Sequence, residues 1–163
     1  MRHAKSDWPT GPSNDFERPL TDRGNKDAPR IGGWIQEHDL TPDQIICSPA
    51  TRVKQTVDHL CQQIGIDSRT VKYDKLIYEA DQNHLLNVLK ETNSLTTRLL
   101  MVGHNPSFSD LLNFLCSDST HPTVNKSMPT AALAVIDLKT SWSVVNHGSG
   151  ELLSLILPHE LSL

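Results

Sequence analysis

The feature of this chain that most constrains its fold is the alternation of short apolar runs with amphipathic helical patterns. Apolar runs of strand length occupy 44–47, 71–76 and 99–102, and each leads toward residues that recur on one helical face. The spacing predicts helices over 21–38, 49–64 and 81–89, and a further helix that carries Leu111, Leu112 and Leu115. Strand–helix alternation predicts a three-layer α/β/α sandwich, in which helices cover both faces of a mostly parallel sheet.

The last third of the chain predicts an antiparallel edge to that sheet. Three apolar runs at 131–138, 142–145 and 152–157 follow one another closely and resemble the strands of a local meander. The segments 7–20 and 116–129 are rich in proline or polar residues and predict loops. Because the chain has 163 residues and no internal repeat or linker, residues 1–163 are expected to form a single domain.

Charge and composition exclude several classes of function. The formal net charge is −4 with histidine neutral, and no block of like charges occurs, which argues against general binding to nucleic acid or to an anionic membrane. No apolar run approaches the ~20 residues of a membrane-spanning helix, and no apolar signal-peptide segment follows the start. The three cysteines are widely spaced and odd in number. That pattern is typical of a reducing cytoplasm rather than of a disulfide framework.

Polar side chains follow the predicted strands, at the positions where open α/β sheets bind their ligands. These residues are Arg2 and His3 at the start of the chain, Arg52, Glu79 and His104. A histidine can attack phosphorus through a ring nitrogen, and a neighbouring guanidinium can hold phosphate oxygens. Arg52 also lies in the first turn of a predicted helix, where a cation opposes the helix dipole, and this favours a role in binding an anion.

Six short motifs occur in an order that carries a family resemblance. They are Arg2-His3-Ala4-Lys5-Ser6, Glu17-Arg18-Pro19-Leu20-Thr21 with Gly24, Ser48-Pro49-x-x-Arg52-x-x-Gln55-Thr56, Tyr78-Glu79, Gly103-His104-Asn105-Pro106 and Pro129-Thr130-Ala131-Ala132. Each motif is weak alone, but the combination is specific and spans nearly the whole chain. In these motifs the chain resembles the histidine phosphatase superfamily, and within it the SixA-type phosphohistidine phosphatases. The resemblance implies a phosphoglycerate mutase-like fold.

The resemblance also implies roles for the polar groups. His3 would be the nucleophile that carries a phosphoryl group transiently, and Arg2, Arg52 and His104 would surround the equatorial oxygens of that group. Phosphoryl transfer needs mainly alignment and charge stabilisation from a protein, so neither a metal nor another cofactor is expected. His3 must attack as a neutral imidazole, whereas His104 would serve better protonated. The two rings are therefore expected to titrate separately.

Glu79 is the candidate general acid that would protonate the leaving group. An ordinary exposed glutamate remains the alternative, because an imidazole leaving group is easily protonated and SixA-type members do not all keep a carboxylate here. Arg18 is a candidate cation at the pocket rim, and Thr130 is a candidate donor to a phosphate oxygen. The weaker substrate-binding candidates are Ser6, Lys5 and Asn14. For all five of these residues, an ordinary surface position is the alternative.

Two departures from the family pattern bear on the substrate. Only Met1 precedes the Arg2-His3 pair, where family members carry a full apolar strand, so weaker support for His3 is expected. Only 24 residues lie between Glu79 and His104, too few for the larger cap that other members insert, and an open pocket is expected. An open pocket admits a phosphorylated side chain, so phosphohistidine on a partner protein is the predicted substrate. A small phosphate ester and a non-catalytic phosphate-binding module are the alternatives.

Overall fold

A parallel sheet and an antiparallel hairpin form the framework of the molecule. The computed structural model describes residues 1–8, 14–117 and 127–161. Its strands are β1 (Gln44–Cys47), β2 (Lys72–Tyr73), β3 (Leu99–Val102), β4 (Leu133–Leu138) and β5 (Gly150–Ile156). The first three strands pair in parallel in the order β2-β1-β3, whereas β4 and β5 pair antiparallel. The predicted combination of parallel and antiparallel strands is confirmed.

Helices cover both faces of the parallel sheet. They are α1 (Asp22–Glu37), α2 (Thr51–Ile64), α3 (Gln82–Lys90) and α4 (Ser107–Cys116). Successive side chains of a strand point to opposite faces, and the residues of β1 accordingly divide between two apolar clusters. Ile45 packs with residues of α1 and α2, and Ile46 packs with residues of α3 and α4. The predicted three-layer sandwich is therefore confirmed.

The first residues of the chain join the two sheets. Arg2 forms a parallel bridge with Gly103 at the end of β3, and the His3 N–H donates to the Gly103 carbonyl at 3.0 Å. On the other side, the Arg2 N–H donates to the Ala132 carbonyl at 3.1 Å, just before β4. Backbone hydrogen bonds thus fix this segment from both sides, which corrects the expectation of weaker support for His3.

The strand predicted at 71–76 is confined to the two residues of β2. The Asp74 carboxylate accepts a hydrogen bond from the Leu76 N–H at 2.8 Å and caps a turn of 3₁₀-helix over 75–77. A short polar side chain that bonds to nearby backbone in this way competes with the strand pairing. The strand therefore ends before Asp74.

The strand predicted at 142–145 is wrong, because Trp142–Val144 form a 3₁₀ turn. The Trp142 indole Nε1 donates to the Thr96 carbonyl at 2.7 Å, which anchors the turn near α3 rather than in a sheet. Within the described residues, the expected meander is consequently the hairpin of β4 and β5. Of the two predicted loops, residues 9–13 and 118–126 lie outside the described residues.

Gly24, in the first turn of α1, touches the segment that follows His3. The Thr21 hydroxyl oxygen caps the helix by accepting from the Gly24 N–H at 3.1 Å, and the Thr21 N–H donates to the Lys5 carbonyl. A Cβ added at Gly24 would lie 2.2 Å from that carbonyl oxygen. We expect Gly24→Ala to lower the free energy of unfolding by about 2 kcal/mol or more, because the start of α1 and the Lys5 backbone must move apart to make room for the Cβ. Urea unfolding measures this change.

Gly33→Ala in the same helix is the matched control. No atom lies within 4 Å of a Cβ built at Gly33, and alanine has the higher helix propensity. This substitution is therefore expected to raise the free energy of unfolding by up to about 1 kcal/mol. Equal losses of stability in the two variants would contradict the described contact at Gly24.

Candidate active site

Four side chains from separate parts of the chain meet at the carboxyl end of the parallel sheet. They are Arg2 and His3 beside β3, Arg52 in the first turn of α2, and His104 between β3 and α4. The ring centroids of His3 and His104 lie 5.3 Å apart, and Arg52 Nη2 lies 3.3 Å from His104 Nδ1. The charges of Arg2 and Arg52 act on both rings. The structure thus brings together four of the residues that the sequence placed at strand ends.

The imidazole of His3 is oriented by the backbone. Its Nδ1 lies 2.7 Å from the Ala4 carbonyl oxygen, and because a carbonyl can only accept, Nδ1 carries the proton. The other nitrogen, Nε2, then holds the lone pair that a nucleophile needs. Burial of the ring, together with the charges of Arg52 and Arg2, outweighs this hydrogen bond and lowers the pKa of His3 to about 4. His3 is therefore a neutral imidazole at physiological pH.

His104 is also neutral, with the opposite tautomer. Arg52 Nη2 can only donate, so His104 Nδ1 accepts from it, and His104 Nε2 donates to the Ser48 hydroxyl oxygen at 2.8 Å. Burial is the largest cause that lowers the pKa of His104 to about 3, followed by the charges of His3 and Arg52. The expectation that His104 is protonated near neutral pH is therefore wrong for this structure, in which both rings are neutral there.

The Nε–H groups of Arg2 and Arg52 have no hydrogen-bond partner in the described part of the chain. Arg2 donates through Nη1 to the Met128 carbonyl at 2.9 Å, and Arg52 donates through its two Nη atoms. Within the described residues, the Nε atoms of both arginines are buried and have no partner. A buried donor without an acceptor typically costs about 1–3 kcal/mol. An anion with several oxygens supplies the acceptors that these groups require.

A carboxylate that the sequence reasoning missed, Asp15, completes the site. Its oxygens accept hydrogen bonds from Arg18 Nη1 at 2.7 Å, Arg52 Nη2 at 3.0 Å and Tyr78 Oη at 2.8 Å. Burial alone would raise the pKa of Asp15, but these hydrogen bonds and the charge of Arg52 lower it to about 2. The one available signal was its position three residues before Arg18, which allows an ion pair within a turn.

The weaker candidates lie around this network. Arg18 is buried rather than at the rim, and Nη2 donates to the Ser6 hydroxyl at 2.6 Å, so both residues bind protein groups. Thr130 is half-buried and precedes Ala131, whose N–H donates to the His3 carbonyl at 2.9 Å. The other two candidates, Lys5 and Asn14, are exposed. Contacts of these five residues with a substrate stay predictions.

Glu79 is exposed in the turn after Ile77. Its neighbour Tyr78 makes the contacts with the site, because the Tyr78 ring packs edge-on against His104 with centroids 5.5 Å apart, and its hydroxyl donates to Asp15. The role of Glu79 as a general acid stays a prediction.

The low pKa values of His3 and His104 lead to a prediction for nuclear magnetic resonance. We expect their ring resonances to titrate with midpoints near pH 4 and pH 3, well below the ~6.5 of an unperturbed histidine. Between about pH 6.5 and 4 the unfolded chain then binds more protons than the folded chain, so stability falls as the pH falls through that window. A histidine-containing peptide is the control, and midpoints between 6 and 7 for both rings would contradict this description.

Comparison with known proteins identifies the family. Residues 1–105 match the histidine phosphatase superfamily (branch 1), and this match includes Arg2, His3, Arg52 and His104. The chain belongs to this superfamily. Its fold is the phosphoglycerate mutase-like fold of histidine phosphatases, as the sequence motifs implied.

Relatives of similar length extend the comparison over the whole chain. The uncharacterised protein Rv1276c of Mycobacterium tuberculosis is 33% identical, in an alignment that covers 97% of this chain and 99% of that protein. The uncharacterised protein ML1117 of Mycobacterium leprae is 30% identical with the same coverage of both chains.

Solved structures show the same fold. A protein of Agrobacterium tumefaciens, assigned as the phosphohistidine phosphatase SixA, is 26% identical with a TM-score of 0.81, and the match covers 97% of this chain and 95% of that one. A protein of Nakamurella multipartitia with the same assignment is 24% identical with a TM-score of 0.84, over 97% and 93% of the two chains. A SixA protein histidine phosphatase in complex with tungstate is 21% identical with a TM-score of 0.82, over 99% and 97%.

Within 1–8, 14–117 and 127–161, no group of three His, Cys, Asp or Glu side chains is placed to hold a metal ion. No helix in that part of the chain is long and apolar enough to cross a bilayer. Chemistry without a metal and a cytoplasmic location stay predictions.

Proposed function

We propose that this protein is a phosphatase that hydrolyses phosphohistidine on a partner protein through a phosphoryl intermediate on His3. The observation that supports it best is the convergence of two imidazoles and two guanidiniums, in which Arg2 Nε and Arg52 Nε are buried donors without a partner. The charges of Arg2 and Arg52 act on His3, whose Nε2 carries the lone pair. Such an arrangement suits a tetrahedral anion under nucleophilic attack.

The proposed reaction has two displacement steps. His3 Nε2 attacks phosphorus while the bond from phosphorus to the substrate ring nitrogen breaks, and the arginine donors stabilise the charge on the equatorial oxygens. His3 becomes cationic as it takes the phosphoryl group, and its Nδ1–H bond to the Ala4 carbonyl then becomes charge-assisted. Water attacks the phosphoryl group in the second step, which releases inorganic phosphate and restores the neutral His3.

The leaving group favours phosphohistidine over an ester. A substrate imidazole that carries a proton on its second ring nitrogen departs as a neutral ring, so it needs little help from a general acid. An alkoxide leaving group needs such an acid, and Glu79 is the candidate for that role although it is exposed. Arg2, His3, Arg52 and His104 include no general acid, so they fit a phosphoramidate substrate better than an alkyl phosphate.

The surroundings of the site are consistent with a protein substrate. Residues 80–103 form only α3 and β3 with their connections, so this segment adds no inserted cap. Trp8 is 73% exposed and stacks on Arg18, with the guanidinium carbon 3.8 Å from a ring centroid. An exposed aromatic side chain that stacks on a residue of the site's hydrogen-bond network offers contact area to a docking protein.

The deciding experiment compares two substrates. We expect kcat/KM for a phosphohistidine-containing phosphocarrier or phosphotransfer protein to exceed that for an aryl phosphate by roughly 100-fold or more. Equal or greater turnover of the aryl phosphate would instead favour a small-molecule phosphomonoesterase. Binding of inorganic phosphate without turnover of either substrate would favour a non-catalytic module, and both results would contradict the proposal.

The role of Glu79 is tested separately. We expect Glu79→Gln to lower kcat by about 100-fold on an alkyl phosphate, because general acid catalysis typically contributes that factor or more, and to leave phosphohistidine turnover nearly unchanged. The matched control is Glu37→Gln at the exposed end of α1, with unchanged kcat on both substrates. If Glu79→Gln retained full activity on the alkyl phosphate, the assignment of Glu79 as the acid would be wrong.

A further inference from the structure

We propose that Asp15 is a positioning residue that holds Arg52 in the orientation required for phosphoryl transfer. The inference deepens the proposed function and rests on it, because its main readout is turnover. Asp15 lies in a short turn of 3₁₀-helix over 15–17, outside the strand ends that supply the other site residues.

Asp15 accepts hydrogen bonds from both terminal nitrogens of the Arg52 guanidinium. Arg52 Nη1 donates to the Asp15 backbone carbonyl at 2.6 Å, and Arg52 Nη2 donates to the Asp15 carboxylate at 3.0 Å. Two hydrogen bonds from one residue fix the plane of the guanidinium as well as its position. With both ends held, Nε is the buried Arg52 donor that remains without a protein partner.

The Asp15 carboxylate is itself held from two further directions. Tyr78 Oη donates to Oδ2 at 2.8 Å, and Arg18 Nη1 donates to Oδ1 at 2.7 Å. Arg18 is anchored in turn, because Nη2 donates to the Ser6 hydroxyl at 2.6 Å and Nε donates to the Asp7 carbonyl at 2.8 Å. These bonds connect Arg52 to the segment that directly follows His3.

Loss of the hydrogen bonds between Asp15 and Arg52 would destabilise the transition state more than the bound ground state. Charge develops on the equatorial oxygens as the phosphoryl group transfers, so a misaligned Arg52 loses more stabilisation there than in the bound ground state. A displacement of about 1 Å in a catalytic group can lower the rate by about 100-fold. A positioning role therefore predicts a large change in kcat and a small change in KM.

Asp15→Asn tests the proposal, because it keeps the side-chain shape but removes one anionic acceptor. We expect kcat to fall by about 10- to 100-fold with KM changed less than about threefold. In an Arg52→Ala background, Asp15→Asn is expected to lower kcat by less than about twofold, since Asp15 acts through Arg52. A similar loss of kcat in both backgrounds, or a loss below twofold in the wild-type background, would overturn the proposal.

Asp67→Asn is the matched control. Asp67 has a side-chain exposure of 46%, close to the 45% of Asp15, and it also pairs with an arginine, Arg69, at 2.6 Å. It lies outside the site, and kcat and KM are expected to stay unchanged.

If Asp15→Asn does not fold, Tyr78→Phe serves instead, because it removes one hydrogen bond to the carboxylate. A severalfold loss of kcat that disappears in the Arg52→Ala background supports the proposal, and an equal loss in both backgrounds overturns it.

A second measurement separates this proposal from the proposed function. Isothermal titration calorimetry with orthovanadate reports anion binding without turnover, and we expect Asp15→Asn to weaken binding only when Arg52 is present. If the wild-type protein hydrolyses neither substrate, the phosphatase proposal fails. The calorimetric coupling between Asp15 and Arg52 then still decides whether Asp15 positions the guanidinium.

Discussion

Replacement of His3 by alanine is expected to lower kcat by roughly 10⁴-fold or more, because the variant lacks the nitrogen that attacks phosphorus. The remaining donors keep their positions, since the His3 backbone hydrogen bonds to Gly103 and Ala131 do not involve the ring. Inorganic phosphate, which mimics the ground state, should therefore still bind, within about tenfold of the wild-type affinity. A stopped assay with phosphohistidine protein measures turnover, and calorimetry measures binding.

His59→Ala is the control for the His3 substitution. His59 lies in α2, where its Nε2 pairs with the Asn25 side-chain oxygen at 3.0 Å, and it belongs to no part of the site. This variant is expected to keep kcat within about twofold of the wild-type value. If His3→Ala retained more than about a tenth of wild-type turnover, another residue would have to be the nucleophile.

Arg52→Ala has the second-largest expected effect, a loss of about 10³-fold in kcat/KM. It removes a charged donor from a buried site in which one preorganised donor commonly contributes 10²–10³-fold. It also leaves Asp15 with Arg18 and Tyr78 as its donors. Arg52→Lys is expected to recover little activity, because the single nitrogen of an ammonium cannot occupy the separate positions of Nη1, Nη2 and Nε in the planar guanidinium.

Arg69→Ala is the matched control for Arg52. Arg69 also pairs with an aspartate, but its side chain is 88% exposed and lies outside the site. Steady-state kinetics on both variants should show the loss only for Arg52→Ala. Comparable kcat/KM for Arg52→Ala and the wild-type protein would remove Arg52 from the proposed phosphate site.

Much of the site follows from the sequence because of one geometric rule. Parallel strands bring their carboxyl ends to the same edge of a sheet, so residues that directly follow strands are neighbours even when the chain separates them widely. Arg52 and His104 are 52 residues apart in sequence and 3.3 Å apart in space. The layers of the fold followed similarly from the period of the apolar residues in helices and strands.

Asp15 could not be placed by that rule. It lies in a proline-containing loop, and its partners Arg52 and Tyr78 are 37 and 63 residues away in sequence. No local periodicity indicates which side chains a loop contacts, because its path over the surface depends on packing elsewhere. The contacts of Asp15 become visible only in the structure, where the loop packs against α2 through the hydrogen bonds with Arg52.

The protonation state of His104 also could not be predicted from the sequence. Its pKa depends on how far the ring is removed from water and on which partner faces each nitrogen. A sequence supplies the residue type but neither of these quantities. Here burial and the donor Arg52 Nη2 both favour the neutral ring, which reversed the expectation from chemistry alone.

Trapping of the phosphorylated protein tests the central claim most directly. The protein is mixed with a phosphohistidine substrate that carries labelled phosphate, quenched rapidly under alkaline conditions that preserve phosphohistidine, digested and sequenced by mass spectrometry. We predict that the label lies on His3, in the peptide that contains Arg2-His3-Ala4, and that it is absent in His3→Ala. Label on His104 or on any other residue, with His3 unmodified, would contradict the proposed mechanism.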